Sequence, residues 1–246
     1  MKKIETHKSS IADERYLMHD ADVVYRGTIG VDREFNAHLT RDLNTSTFYL
    51  FRGISAKYVP ARIMHSRNSL SVLKVLILDP RDKRSISLRA SDRSKNPKYA
   101  DAIVEHLALD IREEIFMSII ALFDCRYRCP VEIAYSRGTS VNRLEIFDGA
   151  LYMSMYHAES ASGYPETVRY KKDTALYQLH RLDSFRQCEV AETKVLFNSQ
   201  TPKSDFIKHL KKLGMSIVDE SIIEEYRNHY KAFSTRFVQE SKIHDY

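Results

Sequence analysis

Tryptophan is absent from the 246 residues, and glycine (7), proline (6) and cysteine (3) are scarce. So little glycine and proline excludes a collagen-like or low-complexity chain. Three cysteines, Cys125, Cys129 and Cys188, build no disulfide framework and point to a reducing, cytoplasmic setting. The CRYRC pair lacks the second pair or nearby histidine of a zinc site, and the ten histidines show no HExxH spacing. No metal and no cofactor is therefore expected. No apolar run approaches the roughly 18 residues of a membrane span. MKKIETHKSS has no apolar core behind its lysines, so neither a membrane role nor a secretory signal is expected. There is no GxSxG elbow and no GxxxxGK[ST] loop.

What is present is a 43% hydrophobic chain with 29% charged residues and a net charge of +5. The charge is local. Residues 81–98 (RDKRSISLRASDRSKNPK) hold seven basic and two acidic residues, a surplus that equals the whole net charge. Serine, Asn96 and Pro97 punctuate this segment, which reads as a loop. Phosphate contacts from its Lys83, Arg84 and Arg89 would give salt-dependent binding of nucleic acid. A solvated charged loop is the plainer alternative.

Around that loop the periodicity defines elements. VVYRGTIG (23–30) reads as a strand or turn, followed by a helix from about Val31 with Asp32 near its start. STFYLFRG (46–53) and VLKVLILDP (72–80) are nearly continuous apolar runs, as in strands buried on both faces. A short helix is expected over about 56–66. Ala100, Val104, Leu107, Ile111, Ile115, Ile119 and Leu122 recur at three- and four-residue spacing and predict a long helix over about 98–123. After Pro130 the period becomes that of strands: 131–136, 142–147 and 150–156, with Asp148-Gly149 as a hairpin turn. Residues 157–174 read as a polar loop, a helix follows over about 175–192, and SQTPKS (199–204) reads as a linker. Charged helices are expected over 204–213 and 219–240. The order predicts an α/β fold: a mixed β-sheet sandwiched by helices in residues 1–198, with a helical C-terminal extension in 199–246.

The chemistry is sought in VNRLEIFDGALYMSMYHAE (141–159). Arg143 and Glu145 share one strand face, because strand side chains alternate. A cation there suits a phosphate oxygen, and Asp148 at the turn can fix the backbone or orient a donor. The plainer reading is a surface ion pair of under about 1 kcal/mol and ordinary hairpin chemistry. RGTIG (26–30) and FRGIS (51–55) each place an arginine before glycine. In the second, Arg52, Gly53 and Ser55 would present a guanidinium, a bare backbone and a hydroxyl to an anion.

The order strand, helix, strand ending VLILDP, long helix, then strand, strand, Asp-Gly and strand resembles one repeat of the phospholipase D-like superfamily. That family carries an HxKxxxxD motif at this place. Aligned on Asp148, the lysine position is Arg143 and the histidine position is Val141. The resemblance implies a phosphohistidine nucleophile, which valine cannot supply. It also implies pairing of two copies, so a homodimer is expected. His157, nine residues past Asp148, is the first candidate to replace the nucleophile, and His65 the second.

Three functions follow as expectations. The first is binding or sensing of a nucleic acid or nucleotide by a catalytically degenerate module in a regulatory or defence system. The second is an active nuclease or phosphodiesterase using His157 and Asp148. The third is a scaffold whose C-terminal helices dock on a protein partner.

Overall fold

The computed structural model describes residues 21–26, 30–95, 102–138, 140, 142–155 and 165–246. Eight strands form one mixed sheet: β1 (Ala21–Tyr25), β2 (Phe48–Arg52), β3 (Val72–Leu78), β4 (Val131–Ser136), β5 (Asn142–Phe147), β6 (Ala150–Met155), β7 (Thr167–Lys171) and β8 (Thr193–Phe197). Their spatial order is β1-β7-β6-β5-β2-β3-β4-β8. β2, β3 and β4 are mutually parallel, and every other pairing is antiparallel. The helices are α1 (Arg33–Asn44), α2 (Val59–His65), α3 (Lys83–Ser94), α4 (Val104–Asp124), α5 (Ala175–Val190), α6 (Lys203–Lys212) and α7 (Glu220–Ser241).

Local chemistry explains the boundaries. Asp32 accepts from the Phe35 amide and starts α1; Asp82, Thr174 and Asp219 do the same for α3, α5 and α7. Pro60 lies in the first turn of α2, where its missing N–H costs nothing. Lys242 ends α7 in the left-handed region, with φ +53°.

Two layers of apolar side chains lie on either side of the sheet. The larger places Tyr49, Phe51, Val75, Ile77, Ile133 and Phe147 under α1, α2 and α4. The smaller places Leu50, Leu76, Leu144, Ile146 and Val168 under α5. The helices after residue 199 join the larger core: Phe206 stacks on Phe123 at 3.9 Å between centroids, and Leu210, Leu213 and Ile223 are buried there. Among the described residues no helix is long and apolar enough to cross a membrane.

Three expectations are corrected. Residues 83–94 are helical, not a loop, because Asp82 caps them and Ile86 and Ala90, four apart, are buried, in a helix that lies along α4. Part of the supposed loop 157–174 is β7, whose Val168 and Tyr170 face one side while Thr167 and Arg169 face the other. An unforeseen strand, β8, pairs antiparallel with β4.

Candidate functional site

Gly53, Arg143, Ser154, Thr167 and Tyr25 lie in one row across β2, β5, β6, β7 and β1, at the carboxyl end of the parallel strands. Arg143 donates from Nη2 to Ser154 Oγ at 3.0 Å, and Ser154 Oγ lies 2.7 Å from Thr167 Oγ1. A Cβ on Gly53 would stand 2.8 Å from the Phe51 ring and 3.6 Å from Arg143 Cγ. The glycine therefore leaves the space that the Phe51 ring occupies.

One row deeper stands Glu145, 1% exposed. It accepts from Arg62 Nη1 at 2.7 Å and Tyr49 OH at 2.5 Å on Oε2, and Arg143 Nε lies 3.3 Å from Oε1. Arg62 also donates to Asn36 Oδ1 at 3.0 Å. The two guanidinium groups sit 5.8 Å from the Phe35 ring centre. Burial, and after it the Glu145 charge, push the Tyr49 phenol well above its usual range, so it is a fixed donor. The Arg143/Glu145 pair is thus no surface ion pair. It is the inner end of a network that ties the sheet to α1 and α2.

Beyond Gly53 the chain continues into a second group of charges. Ser55 and Lys57 donate to Glu114 of α4 at 3.4 and 3.1 Å, and Arg93 of α3 reaches it at 3.5 Å. Burial alone would raise the Glu114 carboxyl, but Lys57 and Arg93 outweigh it and hold it below its usual range. Lys57 and Arg93 remain partly open to solvent. Chemically, this end of the sheet carries two cations and a hydroxyl gathered on Glu114, and a bare glycine backbone beside Arg143.

The sequence-derived candidates separate on this frame. Arg143, Glu145, Gly53 and Ser55 gather at the carboxyl end. Arg52 points to the opposite face, where Nη1 donates to Asp183 of α5 at 2.7 Å. Lys83 and Arg84 are exposed at the start of α3, and Arg89 is half-buried along it. Asp148 is corrected most. It sits at the other end of β5, accepting from the Thr47 amide at 2.6 Å and the Thr47 hydroxyl at 2.9 Å. Five strand residues of about 3.3 Å each separate it from Arg143, so the two share no small anion. Its work is to clamp the β5–β6 turn to the start of β2. His157, Val141 and the turn at 27–29 lie outside the described residues. His65 is exposed at the end of α2.

Two participants, Arg62 and Lys57, escaped the sequence, and Arg93 stands there only as one of the basic residues of 81–98. Arg62, Lys57 and Arg93 come from three separate segments, and only the docking of α2 and α3 brings them here. His180 of α5 also escaped. Burial, then the nearby Arg52 charge, lowers its basicity. Among the described residues no group of three His, Cys, Asp or Glu side chains is placed to hold a metal ion.

No protein-family model matches the sequence. No curated protein sequence matches it either. Among solved structures, one similar chain is that of TrmBL2, an archaeal chromatin protein whose structure is reported to show a novel mode of DNA binding. The likeness is 14% in identity, with a TM-score of 0.38. It covers 74% of this chain and 60% of that one, so the chain spans less than two thirds of TrmBL2's length.

Proposed function

We propose that the chain is a phospholipase D-like module with a degenerate motif, and that it binds a phosphate-bearing ligand, nucleic acid or nucleotide, without hydrolysing it. The observation that carries the reading is the collection of Gly53, Ser55, Lys57, Arg93 and Arg143 at the carboxyl end of the parallel strands. In open α/β sheets ligands bind outside the carboxyl ends of the strands, and guanidinium and ammonium groups recognise phosphate oxygens. Val141 stands where the resembled family has its nucleophile, and Asp148 is engaged in a turn 101 residues along the chain from its partner Thr47. Both facts favour binding over catalysis. The basic residues Lys83 and Arg84 open α3, the helix that supplies Arg93, and extend the positive surface for a polyanion.

Fluorescence anisotropy with labelled single- and double-stranded DNA and RNA, and with a labelled nucleoside triphosphate, tests the reading across a salt series. Affinity is expected to fall with rising salt, and a Lys57→Gln, Arg93→Gln variant to bind roughly tenfold or more weakly with a shallower salt slope. Absence of binding at low salt, or binding indifferent to salt, would overturn it. Release of product from any of these probes would replace it with the nuclease reading.

A further inference from the structure

Among the described residues, α5 is the helix that covers the second face of the eight-stranded sheet, and its outer surface exposes apolar side chains. Leu179 is 60% exposed, Leu182 63% and Val190 72%. Leu196 of β8 and Val24 of β1, half or more exposed, flank it on the same face. At 100° per residue, Leu182, Leu179 and Val190 span about 80° of the helix surface, with Arg186 between them and Asp183 at the edge. A stripe of that width is what a helix presents to a partner rather than to water.

The stripe also carries one acid and one base, three residues apart. Asp183 accepts from Arg52 and from Gln187 Nε2, both on Oδ2. Arg186 is exposed and enters no ion pair among the described residues. We infer that α5 docks antiparallel on α5 of a second copy of this chain, about a two-fold axis between Ser184 and Phe185. That register sets Asp183 against Arg186 of the partner subunit and Leu179 against Val190 of the partner subunit. Both contacts occur twice, as an isologous interface requires. A parallel pairing would instead face Asp183 with its own copy and Arg186 with its own copy. The charges therefore select both the orientation and the kind of partner. The interface lies on the face opposite Arg143, so it does not rest on the ligand-binding reading. It does bring the partner's guanidinium to Asp183, beside Arg52.

Sedimentation over a concentration series tests the state, and cysteine pairing tests the register. The wild-type chain is expected to be a dimer. Leu182→Glu and Arg186→Glu, both at exposed positions, are each expected to raise its dissociation constant about tenfold or more, with circular dichroism unchanged. A mixture of Leu179→Cys and Val190→Cys chains should form a disulfide-linked heterodimer under mild oxidation. Leu179→Cys alone should not, because its two copies would lie about 16 Å apart along the helices, against a limit of about 7 Å. The native cysteines are buried and stay silent. A monomer at all concentrations, a dimer indifferent to Leu182→Glu, or no mixed crosslink would overturn the inference.

Discussion

Glu145 shows how a side chain can be legible in kind and illegible in role. Its alternation with Arg143 on β5 is a sequence fact, and the two do share a face. Its burial is not a sequence fact, because the second arginine, Arg62, comes from α2, 83 residues earlier in the chain. A carboxylate held between two guanidinium groups and a phenol is costly to strip of one partner, by about 3–5 kcal/mol. That cost fixes the orientation of Arg143. His209 is a second buried polar residue, 2.8 Å from Tyr135 OH through Nε2. Burial, followed by Lys212 and Arg81, pushes it down to about 4. The folded chain thus prefers neutral His209, while the unfolded chain titrates near 6.5. Stability from this residue is full above pH 6.5 and is lost as pH falls toward 4, by on the order of 3 kcal/mol. Urea unfolding midpoints between pH 7 and 4 should fall for the wild-type chain and fall less for His209→Gln. Parallel curves would remove His209 as the cause.

Among the elements, those with strong periodicity were legible: β2 to β6, α4 and the two C-terminal helices lie within a few residues of their expected ranges, apart from the start of α4. α3 was not, because its composition is that of a loop. Only three of its residues, Ser85, Ile86 and Ala90, are buried, and its N-cap is a single aspartate before a basic run. β7 was hidden for the opposite reason. Its polar side, Thr167 and Arg169, is buried or half-buried in hydrogen bonds to Ser154, Tyr152 and Asp42, so alternation looked like plain polarity. The β5–β6 turn supplies the test that separates structure from chemistry. Asp148→Ala removes two hydrogen bonds to Thr47 and is expected to cost about 1–2 kcal/mol. Ligand affinity should stay within twofold, since the turn is at the far end of the sheet. A tenfold loss of binding with stability unchanged would return Asp148 to the site.

For the whole molecule, the sequence expects an α/β domain with a helical extension after residue 198, and the extension buries Phe206, Leu210, Leu213 and Ile223 in the larger core. Arg227 of α7 also grips Asp124 with two hydrogen bonds, at 2.9 and 3.0 Å. A chain cut after Asn198 would expose Phe123 and Phe197 and leave Tyr135 without His209. Chemical unfolding of that chain should lose its cooperative transition and gain dye-accessible apolar surface. An unchanged midpoint would make the extension an independent unit. The site's distribution follows the same logic: its charges come from the turn after β2, α2, α3, α4 and β5. No single window of sequence contains it.

The sheet order also sets a schedule. Tyr25 of β1 pairs with Thr167 of β7, 142 residues later in the chain. At a synthesis rate of about 5–20 residues per second, β1 waits roughly 7–30 s for β7, its one strand neighbour among the described residues. During that wait Tyr25 and Val23 have no strand beside them, while β2, β3 and β4 can already assemble. The ion pairs of Arg169 to Asp22 and Asp42 form only when β7 arrives. They act as a late latch, closing the first strand onto a sheet that was built without it.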